Sequence, residues 1–142
     1  MMKKVLITGG SGFIGSAIAE KLILDKNNYV VIVDDLSTGD KGKLPNLPKD
    51  NWRFIKCDVN DYEEIAPIMT SYQFDYVFHF AAVVGVQRTQ EYPVMVLKDI
   101  DGIKNILPLF IKSQFEEFVN YTNFLESDYK SIKIFIESND KK

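Results

Sequence analysis

The stretch Thr8-Gly9-Gly10-Ser11-Gly12-Phe13-Ile14-Gly15 constrains the fold more than any other. It lies directly between an apolar run, Lys3 to Thr8, and a helical repeat of Ile14, Ala17, Ile18, Lys21 and Leu22. Glycines placed where a strand turns into a helix do three things. They let the turn tighten, bring backbone N–H groups close to phosphate oxygens, and allow the helix to lie close on the sheet. Both Gly10-x-Gly12-x-x-Gly15 and Gly9-x-x-Gly12-x-x-Gly15 fit this pattern. The helix N-terminus that follows favours an anion, so the stretch reads as a dinucleotide pyrophosphate site.

With 142 residues and 46% hydrophobic residues, the chain has material for one domain core and not for two. A net charge of -3, a pI near 5.2 and scattered Lys and Arg argue against a nucleic-acid partner. The single cysteine, Cys57, has no internal disulfide partner and reads as a buried small hydrophobe in an apolar strand. That thiol, together with the absence of a signal-peptide pattern or a long apolar run, leads to the expectation of a cytoplasmic chain with no membrane partner.

Taken in order, the patterning predicts strand Lys3 to Thr8, a helix from about Gly12 to Lys26 ended by Asn27-Asn28, and strand Tyr29 to Asp34. The run Val30 to Val33 is what a parallel strand buried on both faces requires. Asp34 falls nineteen positions after Gly15, where an acid accepts hydrogen bonds from adenosine ribose hydroxyls and repels a 2′-phosphate; NAD is therefore favoured over NADP, and Asp35 is placed to share the role. Leu36 to Asn51 has turn chemistry and is expected to be exposed. A strand at Arg53 to Asp58 precedes a helix capped by Asn60 or Asp61, which Pro67 is expected to shorten or bend. Strand Tyr76 to Phe80, a helix over Val94 to Ser113, and strand Glu117 to Tyr121 complete the pattern. Strands alternating with helices predict an α/β, Rossmann-like, doubly wound parallel sheet of about five strands, with its ligand crevice at the strands' carboxyl ends. The only histidine, His79, has no partners for a metal cluster and reads as structural. The acid pair Glu63/Glu64 reads as a solvated helix start, and Glu116/Glu117 as a loop.

These motifs together resemble the amino-terminal part of the extended short-chain dehydrogenase/reductases, the NAD-dependent sugar-nucleotide epimerases and dehydratases. The glycine turn, Asp34-Asp35-Leu36-Ser37-Thr38-Gly39, Cys57-Asp58-Val59 and His79-Phe80-Ala81-Ala82 agree with that family in order over about residues 3 to 120. The resemblance implies NAD as cofactor, held by Gly9, Gly12, Phe13, Ile14 and Gly15 at the pyrophosphate and Asp34 and Asp35 at the ribose. It places Asp58 and Val59 at the adenine and Phe80, Ala81 and Ala82 along the cofactor, and implies a nucleotide-sugar as substrate. The segment Gly85 to Pro93 resembles the family's loop beside the nicotinamide and substrate. Asp99 departs from the pattern, standing where the family usually has a cofactor-contacting Asn; a carboxylate cannot donate that amide's hydrogen bond.

In this family, the resemblance implies, a tyrosine base, a lysine lowering its pKa and a Ser or Thr follow the fifth strand. Here Thr122 is one place from the hydroxyl position, which Asn123 occupies, and Tyr129 with Lys133 forms the one Tyr-x-x-x-Lys. With seven tyrosines in the chain, chance supplies about 0.7 such pairs, and Ile132, Ile134 and Ile136 alternate as in a strand. The expectation is an NAD-binding domain at 1–126 with an atypical tail at 127–142: truncated, lacking the substrate domain and catalytically incompetent alone. An active epimerase/dehydratase, alone or with a second subunit, and an NAD-responsive interaction module are the alternatives. The aromatic-rich final third, with Phe110, Phe115, Phe118, Tyr121, Phe124, Tyr129 and Phe135, is expected to fold back on itself or to be covered by a second copy or a complementing chain.

Overall fold

The computed structural model describes residues 1–82 and 86–116. Within them lie β1 (Lys3–Thr8), α1 (Phe13–Leu24), β2 (Asn28–Asp34), a 3-10 turn (Lys41–Lys43), β3 (Trp52–Lys56), α2 (Tyr62–Tyr72), β4 (Tyr76–His79), α3 (Val86–Glu91) and α4 (Pro93–Lys98). Residues 100–116 form a further helix, α5. The four strands make one sheet, all pairs parallel, in the order β3-β2-β1-β4. The chain winds from β1 outward to β3, then returns to place β4 on the other side of β1. Parallel pairing and this reversal define a Rossmann-like sheet whose crevice opens at the strands' carboxyl ends.

Side-chain alternation divides the core between the two faces of the sheet. Val5, Ile7, Val30 and Ile32 pack with Ala19 and Ile23 of α1 and with Trp52. Leu6, Val31 and Val33 face the other way, onto Ile65, Ile68 and Met69 of α2 and Ile106 of α5. Every residue from Val30 to Asp34 is buried, as expected for a strand covered on both faces.

Several boundaries depart from expectation. Helix α1 stops at Leu24, and Asn28 belongs to β2. The carbonyls at its end are taken by side chains, Asn28 Nδ2 donating to Leu22 O (3.0 Å) and the buried Asn51 Nδ2 to Ile23 O (2.9 Å). Its buried residues are Gly15, Ala19 and Ile23, with Ile18 and Leu22 partly buried against the same core, so of the expected repeat Ile18 and Leu22 face inward while Ile14, Ala17 and Lys21 are exposed. Strand β3 spans Trp52–Lys56, shorter at its carboxyl end than Asp58, and β4 ends at His79 rather than Phe80. Pro67 does not shorten α2, which continues to Tyr72 and closes on Gln73 in the left-handed region (φ 51°). Asp61 caps this helix by accepting from Glu63 N at 2.9 Å; Asn60 is used elsewhere.

The expected helix at Val94 to Ser113 is two pieces, α4 and α5, meeting at Asp99. Ile100, Ile103 and Leu107, apolar at helical spacing, lie on the exposed side of α5. Its inward side carries Gly102 and Ile106, with Leu109 and Phe110 partly buried. Glycine is needed at 102 because a Cβ would lie 2.9 Å from Val59 Cγ2 and 3.1 Å from Asn60 Oδ1. Gly102 N donates to Asn60 Oδ1 (2.8 Å), and Asn105 Nδ2 donates to the Val59 and Asn60 carbonyls (3.0 and 3.1 Å). Those bonds pin α5 to the loop after β3. Glu116 is helical rather than in a loop. The expected fifth strand, Glu117 to Tyr121, the 127–142 tail, and Thr122, Asn123, Tyr129 and Lys133 lie outside the described residues, as do Phe118, Tyr121, Phe124 and Phe135.

Candidate functional site

The site is built on the glycine turn, whose glycines have different duties. Gly9 has φ +64°, and a Cβ on it would stand 2.6 Å from Ala81 N and 2.7 Å from Phe80 C. It must be glycine for the turn to nest against the end of β4. A Cβ on Gly10 would collide with Ile32 Cγ2, and one on Gly15 with Gly9 O. These three serve close packing of turn, helix and sheet. Gly12 is different, because its Cβ would meet only Gly9 O, at 3.1 Å, and its backbone is extended (φ -81°, ψ 177°). The Gly9 carbonyl would have to give by a few tenths of an ångström, so packing presses less on glycine there than at the other three.

That crevice has a volume of about 710 Å³, a size typical of small-molecule sites. All twelve of the cofactor residues expected from sequence line it. Gly9, Gly12, Phe13, Ile14 and Gly15 form one wall at the start of α1, and Asp34 and Asp35 stand at the end of β2. Asp58 and Val59 follow β3, and Phe80, Ala81 and Ala82 follow β4. Phe13 and Ile14 are 84% and 59% exposed, apolar side chains turned out of the core at the crevice mouth. Past Asp35 and Asp58 a shallower hollow continues along Ile55, Lys56, Glu64 and Ile68.

The two acids after β2 differ. Asp34 is buried; its Oδ2 accepts from Ser11 N (2.9 Å) and its Oδ1 from Leu36 N (2.8 Å). It ties the glycine turn to the segment after β2. Each of its oxygens keeps a second lone pair for a hydroxyl donor. Gly39 covers it so closely that a Cβ would lie 2.5 Å from Asp34 Oδ1. Asp35 is exposed and accepts from Ser37 N and Ser37 Oγ, both at 2.8 Å. After β3, Asp58 Oδ1 accepts from Asn60 N (2.9 Å), and Asp58 N donates to Glu64 Oε2 (2.8 Å). Glu64 thus does more than sit at a solvated helix start: it fixes the backbone at Asp58. Cys57 is buried beside the crevice, its thiol pushed up to about 12 by burial and then by the carboxylates of Glu64, Asp58, Asp61 and Asp35. It is an inert thiol at neutral pH.

His79 closes β4 within a small network. Thr8 Oγ1 accepts from Phe80 N (3.1 Å) and Ala81 N (3.2 Å) and lies 2.7 Å from His79 Nδ1. With both lone pairs engaged, the threonine hydroxyl donates its proton to Nδ1, which leaves the ring neutral with its hydrogen on Nε2. Burial lowers the His79 pKa, and Asp99 acts in the opposite sense. The network holds the Phe80–Ala81 backbone against Gly9, a structural duty for the histidine.

Sequence reasoning missed Asn60, Met95 and Lys98, which also border the crevice; Ser37, Thr38 and Gly39 of the motif after β2 line it too, as does Asp99. The loop-forming Ser37-Thr38-Gly39 was visible as a motif; the residues on α4 carry no local signal. Val86 to Glu91, expected in a loop, is helical. Among the described residues no group of His, Cys, Asp and Glu is placed to hold a metal ion. None of their helices is long and apolar enough to cross a membrane.

Residues 5–122 match the model of the NAD dependent epimerase/dehydratase family. The chain is 36% identical over 115 residues to a UDP-N-acetyl-alpha-D-glucosaminuronate decarboxylase of Bacillus cytotoxicus, covering 80% of this chain and 35% of that protein. It is 37% identical over 118 residues to a putative UDP-glucose 4-epimerase of Methanocaldococcus jannaschii, covering 81% and 36%. Among solved structures, the UDP-glucose 4-epimerase of Thermotoga maritima with UDP-glucose superposes with a TM-score of 0.71 at 34% identity, over 78% of this chain and 34% of that one. The Thermus thermophilus UDP-glucose 4-epimerase in complex with NAD gives 0.69 at 30% identity, again over 78% and 34%. The chain therefore spans about a third of the length of these relatives.

Proposed function

Because the chain belongs to the NAD-dependent epimerase/dehydratase family, we propose that its crevice binds NAD and that these 142 residues supply the cofactor half of a nucleotide-sugar enzyme without turning over alone. The observation that carries this reading is Gly12, the glycine of the turn on which packing presses least, lining the crevice with the start of α1 and Asp34. The residues present fit the cofactor. The N-terminus of α1 offers backbone N–H groups to a pyrophosphate, and the second lone pairs of Asp34, with exposed Asp35, suit ribose hydroxyls. The same two carboxylates oppose a 2′-phosphate. Val59 and the Phe80–Ala82 segment give the flat, partly apolar wall that a nucleotide's rings need.

When bound, NAD would supply reversible hydride acceptance from a sugar carbinol. Residues to move the accompanying proton are a separate requirement. Thr122, Tyr129 and Lys133 are weak substitutes for the set the family resemblance implies, which is why incompetence alone is proposed. The division into a 1–126 domain and a 127–142 tail belongs to the same reading, and one buried thiol fits a cytoplasmic setting. Calorimetric titration with NAD and NADP tests the binding. Saturation by NAD with NADP at least tenfold weaker is expected, and no saturation by either contradicts it. Turnover of UDP-, GDP- or dTDP-sugars by the isolated chain would contradict the incompetence.

We further infer a second copy as partner. Ile100, Ile103, Leu107, Ile111 and Phe115 make one exposed apolar stripe along α5. Ion pairs Asp101–Lys104 (3.6 Å) and Lys112–Glu116 (3.8 Å) flank it.

A further inference from the structure

We propose that Thr8 and His79 form a proton-linked positioning pair: neutral His79 holds the Phe80–Ala81 wall of the crevice in place, and its protonation loosens that wall and weakens NAD binding. The inference rests on the NAD reading above. His79 acts on the cofactor wall only through Thr8, as a positioning residue.

Donors and acceptors match only while the ring is neutral. Thr8 has no exposed surface, and its Oγ1 offers two lone pairs and one proton. Phe80 N (3.1 Å) and Ala81 N (3.2 Å) take the lone pairs, and the proton goes to His79 Nδ1 at 2.7 Å. Protonating the ring turns Nδ1 into a donor aimed at the same oxygen. Phe80 N has a second acceptor in Thr8 O (3.1 Å) and can yield its place on Oγ1. The Thr8 hydroxyl proton still loses its acceptor, and a buried donor left unpaired is costly. The imidazolium therefore favours a state in which the segment after β4 has moved away from Thr8. That segment belongs to the crevice: Phe80, Ala81 and Ala82 line it, and Gly9 packs so closely that a Cβ on it would lie 2.6 Å from Ala81 N. Loosening Ala81 thus disturbs the glycine turn as well as the wall.

Burial lowers the His79 pKa in the sense this pairing requires. Asp99, the charged group that acts on the ring among the described residues, works in the opposite sense. The proton and NAD then compete by linkage, each weakening the other by the same factor. Affinity is full above the pKa of His79 in the free protein and falls as pH drops through it.

His79 is the chain's only histidine, so its imidazole gives a single, unambiguous signal in an NMR titration. The test follows that signal from about pH 5 to about pH 8, without NAD and with NAD at saturation. Beside it, calorimetry gives the NAD affinity of wild type and His79→Asn at both ends of the range. NAD should lower the His79 pKa, and the wild-type Kd should rise at least about threefold toward the acid end. His79→Asn keeps an acceptor for Thr8 and cannot titrate, so its Kd should change less than half as much. A His79 pKa that NAD leaves unchanged or raises overturns the proposal, as does a pH dependence that His79→Asn retains in full. Should His79→Asn fail to fold, the wild-type signal decides alone. Saturable binding with a Kd indifferent to pH overturns this inference and leaves the NAD reading standing; no saturation at any pH overturns both.

Discussion

At the residue scale, the glycine turn separates positions that make the fold from a position that makes the site. Gly9 needs a positive φ and has no room for a Cβ against Phe80 and Ala81. Gly9→Ala is expected to destabilise the domain by about 2–4 kcal/mol, combining left-handed strain with overpacking, as measured by denaturant unfolding. His79 yields a pH prediction. Its folded pKa lies below its ordinary value of 6.5, so the unfolded state binds the proton more readily. The histidine's contribution is intact above that value and is lost as pH falls through the lower folded pKa. His79→Asn keeps an acceptor for Thr8 and removes the titration. Its unfolding midpoint should fall less steeply than wild type's below pH 6.5, and parallel curves would refute the assignment. The glycine spacing and the acid after β2 were legible in the sequence because local geometry dictates them. The engagement of Asp34 by Ser11 N was not, since it joins segments 23 residues apart.

At the scale of elements, strands were read well and helix faces less so. Val30 to Val33 is apolar at every position, and only burial on both faces asks for that. Helices α1 and α5 carry apolar residues on more than one side, so periodicity alone cannot say which side meets the sheet. The phase is set by close approach, through Gly15 against the turn and Gly102 against Val59 and Asn60. Asn105 then clamps α5 to the loop carrying Asp58 and Val59. Asn105→Ala removes both bonds to the Val59 and Asn60 carbonyls and should cost about 1–3 kcal/mol in unfolding experiments. Because those carbonyls lie beside Asp58 and Val59 of the proposed NAD site, NAD affinity should fall as well. An Asn105→Ala protein as stable as wild type would show that the clamp is incidental.

At the scale of the molecule, a sheet with its order reversed at β1 creates the crevice, and an uncovered apolar stripe marks the outer side of α5. Light scattering should find a dimer in wild type and a monomer in Leu107→Glu; a wild-type monomer at tens of micromolar would contradict the second-copy reading. The central claim is that the crevice holds NAD through a turn in which Gly12 serves the ligand more than the fold. Its most direct test is calorimetric titration of wild type and Gly12→Ala with NAD, beside their unfolding curves. The account predicts saturable one-to-one binding to wild type, and at least tenfold weaker binding to a Gly12→Ala protein whose stability stays within about 1 kcal/mol of wild type. Absence of saturable binding to wild type, or equal NAD affinity in the two proteins, would contradict it.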